Sequence, residues 1–237
     1  MRPETEALLA AARVDPQVLA LRPDYRALLL VVEGLEPGPS DAASEELLVR
    51  AERAAMTALD GRAVEDLPHV AAWREAYRAF GAKPQRTRNS LEALLRRAAG
   101  GLPRVNRLTD VYNAVSVLHS VPVGGEDLDR YAGAPQLVRA AGDEPFDTVD
   151  AGEPVVEHPE AGEVVWRDEV AVTCRRWNWR QGRRTALRDD TVSALFVLDA
   201  LEPLDDAALL AAGDELAAHL GRLGSDVRTA RRLVGRS

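Results

Sequence analysis

The spacing of apolar residues changes its period along the chain, and this change constrains the fold more than any other feature. In the first half, apolar residues recur at helical spacing, as in the segment 41–59, where Leu47, Ala51 and Ala55 share one face. From about residue 133 onward, short apolar segments alternate with turns of Gly, Pro and Asp, which is typical of a sheet of short strands. The sequence therefore predicts an α+β fold, in which helices pack on a short-stranded mixed sheet.

The same periodicity predicts the individual elements. We expect helices at 4–12, 41–59, 69–81, 89–101, 107–119 and 205–224. We expect strands at 25–35, 135–140, 154–157, 162–166, 169–175 and 192–199, and a basic tail after the last helix. No repeat or low-complexity linker separates two parts of the chain, so residues 1–237 are expected to form a single compact domain with an N-terminal helical layer.

Composition excludes several classes of protein. The net charge of −8 argues against a protein that coats nucleic acid without specificity, although it permits a local basic face. No run approaches 18 apolar residues and the N-terminus lacks an apolar signal core, so we expect a cytoplasmic protein without a membrane partner. The chain has one cysteine, and its four histidines show no metal-ligand spacing, so neither a metal nor another cofactor is expected.

The common catalytic motifs do not occur in this sequence. There is no G-x-S-x-G elbow, no phosphate-binding G-x-x-x-x-G-K-[ST] loop and no H-E-x-x-H helix. Cys174 lies in a predicted strand without a neighbouring histidine, which favours a buried structural thiol over a nucleophile. The glycine pairs within 98–101 and 123–129 lack the context of a phosphate cradle and are interpreted as turns.

Two groups of polar residues remain as candidates for a site. Asn106, Asp110 and Asn113 recur at four and three residues, and therefore lie on one face of a predicted helix. This pattern fits a binding site, but it also fits a helix start followed by a solvated stripe.

The segment CRRWNWRQGRRT (174–185) is the second candidate, because it holds two of the four tryptophans together with five arginines. As a strand, it would direct Trp177 and Trp179 to one face, and Arg176, Asn178 and Arg180 to the other. Such a strand suits phosphate groups and an exposed RNA end. Alternatively, the tryptophans belong to the core and the arginines pair with acidic residues.

Taken together, these segments resemble the editing module of the phenylalanyl-tRNA synthetase beta subunit, called the B3/4 domain, and its small free-standing relatives. The resemblance lies in NRLTDVYNAVS (106–116), VPVGGEDLD (121–129), LVRAAGDEPF (137–146) and GEVVWRDEVAVTCRRWNWRQ (162–181), followed by Thr185 and Thr191. It covers about residues 81–200. Gly124 departs from the family pattern, because it stands where the synthetase module carries a histidine.

The resemblance implies a cytosolic hydrolase that removes a noncognate amino acid from the 3′ end of tRNA, with water as the nucleophile and without metal. Its pocket residues would be Asn106, Asp110, Asn113, Gly124, Gly125, Glu163, Asn178 and Thr185. Glu163 matches the acid that reads the hydroxyl group of the wrong amino acid. The arginines facing tRNA would be Arg104, Arg107, Arg176, Arg180, Arg183 and Arg184. No catalytic residue is implied, and the segments that a synthetase needs to charge tRNA are missing.

Three functions therefore stay open. The first is a trans-acting editing hydrolase, and the second is a module of the same fold that binds an RNA end or an amino-acid-like ligand without catalysis. The third, which has the least support in the sequence, is a structural or partner-binding protein that uses the N-terminal helices. We expect a cavity bordered by 106–116, 124–125, 162–164 and 175–181. The net acidity favours the binding module, since tRNA binding needs neutralisation of phosphates, whereas the arginine clusters favour the hydrolase.

Overall fold

A computed structural model describes residues 1–236, which form seven α-helices and eleven β-strands. The helices are α1 (Pro3–Ala11), α2 (Pro16–Leu21), α3 (Ala42–Leu59), α4 (Pro68–Ala79), α5 (Ser90–Arg97), α6 (Arg107–Leu118) and α7 (Asp206–Leu220). The strands are β1 (Arg13–Val14), β2 (Arg26–Glu33), β3 (Val123–Asp127), β4 (Gln136–Arg139), β5 (Phe146–Asp150), β6 (Glu153–Glu157), β7 (Val164–Arg167), β8 (Val172–Arg175), β9 (Arg180–Gln181), β10 (Ser193–Ala200) and β11 (Arg228–Gly235).

A four-stranded antiparallel sheet with the order β11-β2-β10-β3 forms the centre of the domain. Its two inner strands are buried along their whole length, which explains their nearly continuous apolar sequences. One face of this sheet packs against α3, α5, α6 and α7, through residues such as Leu30 and Phe196. The opposite face packs through Leu29 and Val31 against the aromatic residues Trp73 and Trp177.

A second sheet covers this opposite face. It has the order β1-β4-β7-β8-β9, and it is mixed because β1 pairs with β4 in parallel while the other pairs are antiparallel. The β5-β6 hairpin stands beside it as a separate two-stranded sheet. Helices α1, α2 and α4 contribute to the same apolar cluster, whereas α3 lies on the other side, so the N-terminal helices divide between the two faces of the central sheet.

Short polar side chains begin the helices that border the central sheet. Asp41 caps α3 in a reciprocal capping box with Ser44. Asn89 accepts a hydrogen bond from the Glu92 N–H at the start of α5, at 2.9 Å, as the Asn–Glu spacing predicts. Among residues 1–236, no helix combines the length and apolar content needed to cross a membrane.

The structure confirms a single α+β domain with a mixed sheet and N-terminal helices, as well as the predicted helices and strands. Two interpretations were wrong. The glycine pair within 123–129 is part of strand β3, because the edge of an antiparallel sheet accepts residues without side chains. The basic tail forms β11, whose apolar Leu233 and Val234 pair with β2.

The prediction that CRRWNWRQ forms one strand was also wrong. Strand β8 ends at Arg175, residues 176–179 turn, and β9 returns antiparallel from Arg180. Arg176 and Trp177 adopt positive φ angles of 47° and 69°, which is uncommon for residues with side chains. A tight hairpin does not follow strand alternation, so the predicted division of this segment into a tryptophan face and an arginine face does not apply.

Candidate functional site

A cavity of about 260 Å³ lies at the free edge of the central sheet, beside β3. It is bounded by α5 and α6 on one side, and by the second sheet and its β8-β9 hairpin on the other. Its polar and sulfur-containing lining residues are Ser90, Arg97, Asn113, Glu126, Cys174, Asn178, Gln181 and Asp199. Its aromatic lining residues are Tyr112, Trp166, Trp177 and Trp179.

Strand register decides which residues of β3 and β10 reach this cavity. Gly124 pairs with Val197 and Glu126 with Leu195, so these residues share the sheet face of Asp199. Gly125 points to the other face, where an added Cβ would lie 2.9 Å from Phe196. At Gly124 the missing side chain leaves room for Gln181, whose Nε2 donates to the Gly125 carbonyl oxygen at 2.8 Å.

The β8-β9 hairpin contributes Trp177 and Asn178 to the cavity. Glu163 anchors this hairpin from outside, because its carboxylate accepts two hydrogen bonds from the Arg175 guanidinium, at 2.9 and 2.8 Å, and one from the Arg176 N–H, at 3.1 Å. Glu163 and Arg175 are both buried, and this bidentate pair is the kind that keeps two charges stable away from water.

Asp199 and its partners form the interior wall of the cavity. Tyr25 donates to one carboxylate oxygen of Asp199 at 2.5 Å, and the side-chain amide of Asn178 donates to the other at 3.4 Å. Tyr77 in turn donates to the side-chain oxygen of Asn178, Oδ1, at 2.9 Å. Burial raises the pKa of Asp199 to about 7, although the hydrogen bonds from Tyr25 and Asn178 act to lower it. At neutral pH this carboxyl group therefore exchanges readily between its charged and neutral forms.

Glu126 is the second acid of the cavity, and only 2% of it is exposed. Burial raises its pKa to about 7, against a lowering effect of hydrogen bonds with Tyr131 and Thr173. Its Oε2 atom has no hydrogen-bond partner within residues 1–236. An unpartnered buried carboxylate oxygen is costly, and it provides a point of attachment for a donor or a cation.

Cys174 does not have the surroundings of a nucleophile. Burial raises the pKa of its thiol well above the usual value, and the charges of Glu126 and Asp199 raise it further. The thiol therefore stays protonated and unreactive at neutral pH. By contrast, the Asn113 amide makes no side-chain hydrogen bond in the described part of the chain and lies open to the cavity.

Of the eight predicted pocket residues, the structure brings Asn113, Gly124 and Asn178 together around the cavity. Asn106 and Asp110 lie elsewhere. The Asn106 side chain caps α6 by accepting from the Thr109 N–H, and Asp110 accepts from the Val105 N–H at 2.9 Å. These two residues therefore match the helix-start interpretation of their pattern, whereas Asn113, one turn further, does reach the cavity.

Gly125, Glu163 and Thr185 also lie outside this cavity. Thr185 is buried beside β3, and its carbonyl oxygen accepts from the Asp127 N–H at 2.7 Å. Glu163 borders a separate polar cleft of about 320 Å³, which Lys83, Arg86, Thr87 and Arg176 also line. The expectation that Asn113, Asn178 and Glu163 share one concavity is thus corrected, because the bidentate bond to Arg175 directs the Glu163 carboxylate away.

Most of the predicted tRNA-facing arginines are engaged within the protein. Four of them form ion pairs: Arg104 with Glu45 and Glu52, Arg176 with Glu163, Arg183 with Asp147, and Arg184 with Asp168. Arg107 and Arg180 donate to the carbonyl oxygens of Pro37 and Val149. Arg97 differs from these, because it is exposed at the cavity and forms no ion pair within residues 1–236.

The sequence interpretation missed Glu126 and Asp199, although each left a signal. Asp199 is the one acid in an otherwise apolar run, SALFVLDAL, which a buried strand does not tolerate without a partner or a function. Glu126 was hidden because the preceding glycines were interpreted as a turn.

The B3/4 domain matches residues 72–220, a range that contains every residue lining the cavity. No curated protein matches the chain. Among solved structures, the chain is similar to an N-terminal fragment of the phenylalanyl-tRNA synthetase beta subunit from Pyrococcus horikoshii, with 12% identity and a TM-score of 0.46, covering 94% of this chain and 50% of the fragment. The chain thus spans half the length of that fragment. Since the family match extends over more than half of its residues, this chain belongs to the B3/4 domain family.

Proposed function

We propose that this protein is a trans-editing hydrolase, which cleaves the ester bond of tRNA carrying a noncognate amino acid. The observation that carries the proposal is the cavity itself, which lies within the B3/4 region and combines two buried acids with the open amide of Asn113. The protonated Cys174 thiol leaves water as the attacking group.

The chemistry demands little from the protein, because an aminoacyl ester is already activated. Water adds to the carbonyl carbon, the bond from that carbon to the ribose oxygen breaks, and the ribose oxygen takes up a proton that water releases. The products are a free amino acid and a tRNA with its 3′ terminal hydroxyl restored. In this proposal the amide of Asn113, which lines the cavity, donates to the oxyanion, and one such donor is typically worth about 3–4 kcal/mol.

The charges near the cavity suit the end of a tRNA. Arg97 stands at its rim, and the polar cleft carries Lys83 and Arg86, neither of which forms an ion pair within residues 1–236. Arg176 belongs to the turn that separates the cleft from the cavity. Arg97, Lys83 and Arg86 therefore offer phosphate contacts on either side of the hairpin, whereas Arg176 is paired with Glu163.

A binding module without catalysis is the second candidate. It is favoured by the ion pairing of Arg104, Arg183 and Arg184, which are not available to phosphates unless their carboxylate partners release them. Such a module would hold an amino-acid-like ligand in the same cavity.

Deacylation of a panel of mischarged tRNAs by the purified protein separates the two. We expect hydrolysis of at least one member of the panel, reduced about 100-fold by Asn113→Ala. Asp189→Asn, an exposed acid outside the cavity, is the control and should leave the rate unchanged. Hydrolysis of no member, by a protein whose circular dichroism shows a folded state, would establish the binding module instead.

A further inference from the structure

The cavity contains two buried acids, whereas an ordinary aminoacyl group brings only one positive charge to pair with them. Glu126 and Asp199 both line the cavity, are at most 2% exposed, and form no ion pair with any cation within residues 1–236. Every aminoacyl ester carries one α-ammonium group, which neutralises one carboxylate. The second acid then has no cation beside it and can ionise only at the cost of desolvation, unless the side chain of the amino acid brings another cation.

The strand register sets the separation of the two acids. Glu126 pairs with Leu195, and Asp199 lies four residues further along β10 on the same face. With about 3.3 Å of rise for each residue and about 4.8 Å between strands, their Cα atoms are about 14 Å apart. Both side chains extend from the same sheet face into one cavity, so this Cα separation is the scale that a ligand bound to both acids has to span.

A linear diamine of lysine length matches that separation. Six bonds join the two nitrogens of lysine, a span of about 7 Å when the chain is extended. A charge-assisted hydrogen bond of about 2.8 Å at each end brings the reach close to 13 Å. A neutral side chain of the same length fills the same space but leaves one acid without a partner.

The other walls also favour a second cation. The rings of Trp166, Trp177 and Trp179 line the cavity, and indole rings attract ammonium groups. The remaining titratable groups that line it are Cys174 and Tyr112, and burial raises the pKa of each, so both are uncharged at neutral pH. Arg97, the one basic residue of the lining, is exposed at the rim rather than inside.

From this arrangement we propose that the cavity selects aminoacyl groups of linear diamino acids, of the lysine and ornithine class. Glu126 binds the α-ammonium, and Asp199 binds the ammonium at the end of the side chain. Asp199 takes the latter role because it belongs to the interior wall, where it is hydrogen-bonded to Tyr25, which is fully buried. The proposal rests on the proposed function for its ester substrate, but the selection of the diamine itself does not require hydrolysis.

Two measurements on the full chain test this. The first compares deacylation of one tRNA charged in turn with lysine, norleucine, tyrosine or alanine, since norleucine is lysine without its terminal amine. We expect the lysyl ester to be cleaved at least 10-fold faster than the norleucyl ester, and Asp199→Asn to abolish this ratio. The second measures binding of lysinamide and norleucinamide by calorimetry, with the same 10-fold preference expected.

The controls separate the failure of this inference from the failure of the hydrolase proposal. The control Asp189→Asn should leave the preferences for the lysyl ester and for lysinamide intact. If Asp199→Asn does not fold, Glu126→Gln serves as the second variant. Cleavage of neutral esters without any preference for lysinamide would overturn the inference while leaving the hydrolase standing. Tighter binding of lysinamide without cleavage of any ester would support the inference and overturn the hydrolase. Equal binding of both amides without cleavage would overturn both.

Discussion

Tyr25 donates its hydroxyl hydrogen to the carboxyl group of Asp199 at 2.5 Å; Tyr25 is fully buried, and Asp199 is exposed only toward the cavity that it lines. Tyr25 directly precedes β2, and Asp199 lies on the neighbouring strand β10. Their hydrogen bond therefore connects the cavity wall to the apolar core. Tyr25 stacks edge-on against Trp177, with ring centroids 5.1 Å apart, so the same side chain also supports the hairpin. The acid is therefore held in place by groups outside the cavity.

Replacing Tyr25 by phenylalanine tests this support. The variant keeps the ring contact with Trp177 but leaves Asp199 with only the Asn178 donor, so the free energy of unfolding should fall by about 1–3 kcal/mol. The pKa of Asp199 should rise further, because the lost hydrogen bond is one that lowers it. Urea denaturation measures the first effect and carboxyl NMR titration the second. Tyr131→Phe, whose hydroxyl group pairs with Thr173, should not move the pKa of Asp199.

The two cavity acids should make the protein less stable as the pH rises toward 7. Their pKa values of about 7 in the folded state exceed the ordinary values, so between about pH 4.5 and 7 the folded chain keeps protons that the unfolded chain has released. This stabilisation is complete at low pH and lost as the pH passes the folded pKa, with a size of a few kcal/mol at most. Urea denaturation from pH 5 to 8 should show a flatter profile for Glu126→Gln. If Glu126→Gln showed the same dependence of stability on pH as the unchanged protein, a raised pKa of Glu126 would be contradicted.

His69 should act in the opposite direction at lower pH. Its Nε2 atom accepts from the Leu201 N–H and the Trp73 indole, both at 3.1 Å, and its Nδ1–H donates to the Ser120 carbonyl oxygen at 2.7 Å. Burial lowers its pKa from 6.5 to about 4, so its contribution is present above pH 6.5 and lost as the pH falls toward 4. His69→Gln should remove this acid sensitivity in urea denaturation. Its retention would show that another group causes it.

Glu163→Gln should affect the whole site rather than its choice of substrate. The change leaves the buried guanidinium of Arg175 without its main carboxylate partner, which typically costs about 3–5 kcal/mol of stability. Because the hairpin positions Trp177 and Asn178, hydrolysis should fall on every substrate by a similar factor. Deacylation rates on the charged tRNA panel, with urea denaturation alongside, measure both effects. A fall in the deacylation rate for only one aminoacyl group would instead show that Glu163 contributes to the recognition of that amino acid.

Arg97→Gln should weaken tRNA binding without loss of stability. Arg97 is exposed at the cavity rim and free of ion pairs in residues 1–236, so the change removes one phosphate contact. The slope of log affinity against log salt should fall by about 0.7, as for one contact to a single strand. Filter binding across salt concentrations measures it. The matched control is Arg53→Gln, because Arg53 is an exposed arginine of α3 that is also without an ion pair in residues 1–236. An equal change of slope in Arg53→Gln would show that the effect comes from the net charge of the protein rather than from a contact of Arg97.

The class of the fold and the positions of most helices and strands were predictable from the sequence alone. Apolar spacing is a local property, and strands such as β2 and β10 need no knowledge of their neighbours to be recognised as buried. Family-like motifs likewise identified the B3/4 region, and Asn113, Gly124 and Asn178 reached the cavity as their segments suggested.

Which side chains share the cavity depends on the three-dimensional arrangement of the strands and was not predictable from the sequence. Gly124 and Gly125 are neighbours in sequence, yet strand pairing sends one to the cavity and the other to Phe196. The predicted single strand is a hairpin, because β8 ends at Arg175. The hydrogen bond from Arg175 to Glu163 holds the Glu163 carboxylate outside the cavity. Glu126 and Asp199, far apart along the chain, meet because β3 pairs with β10 in one particular register. Register and turn geometry depend on contacts between distant segments, and a local pattern of residue types does not contain them.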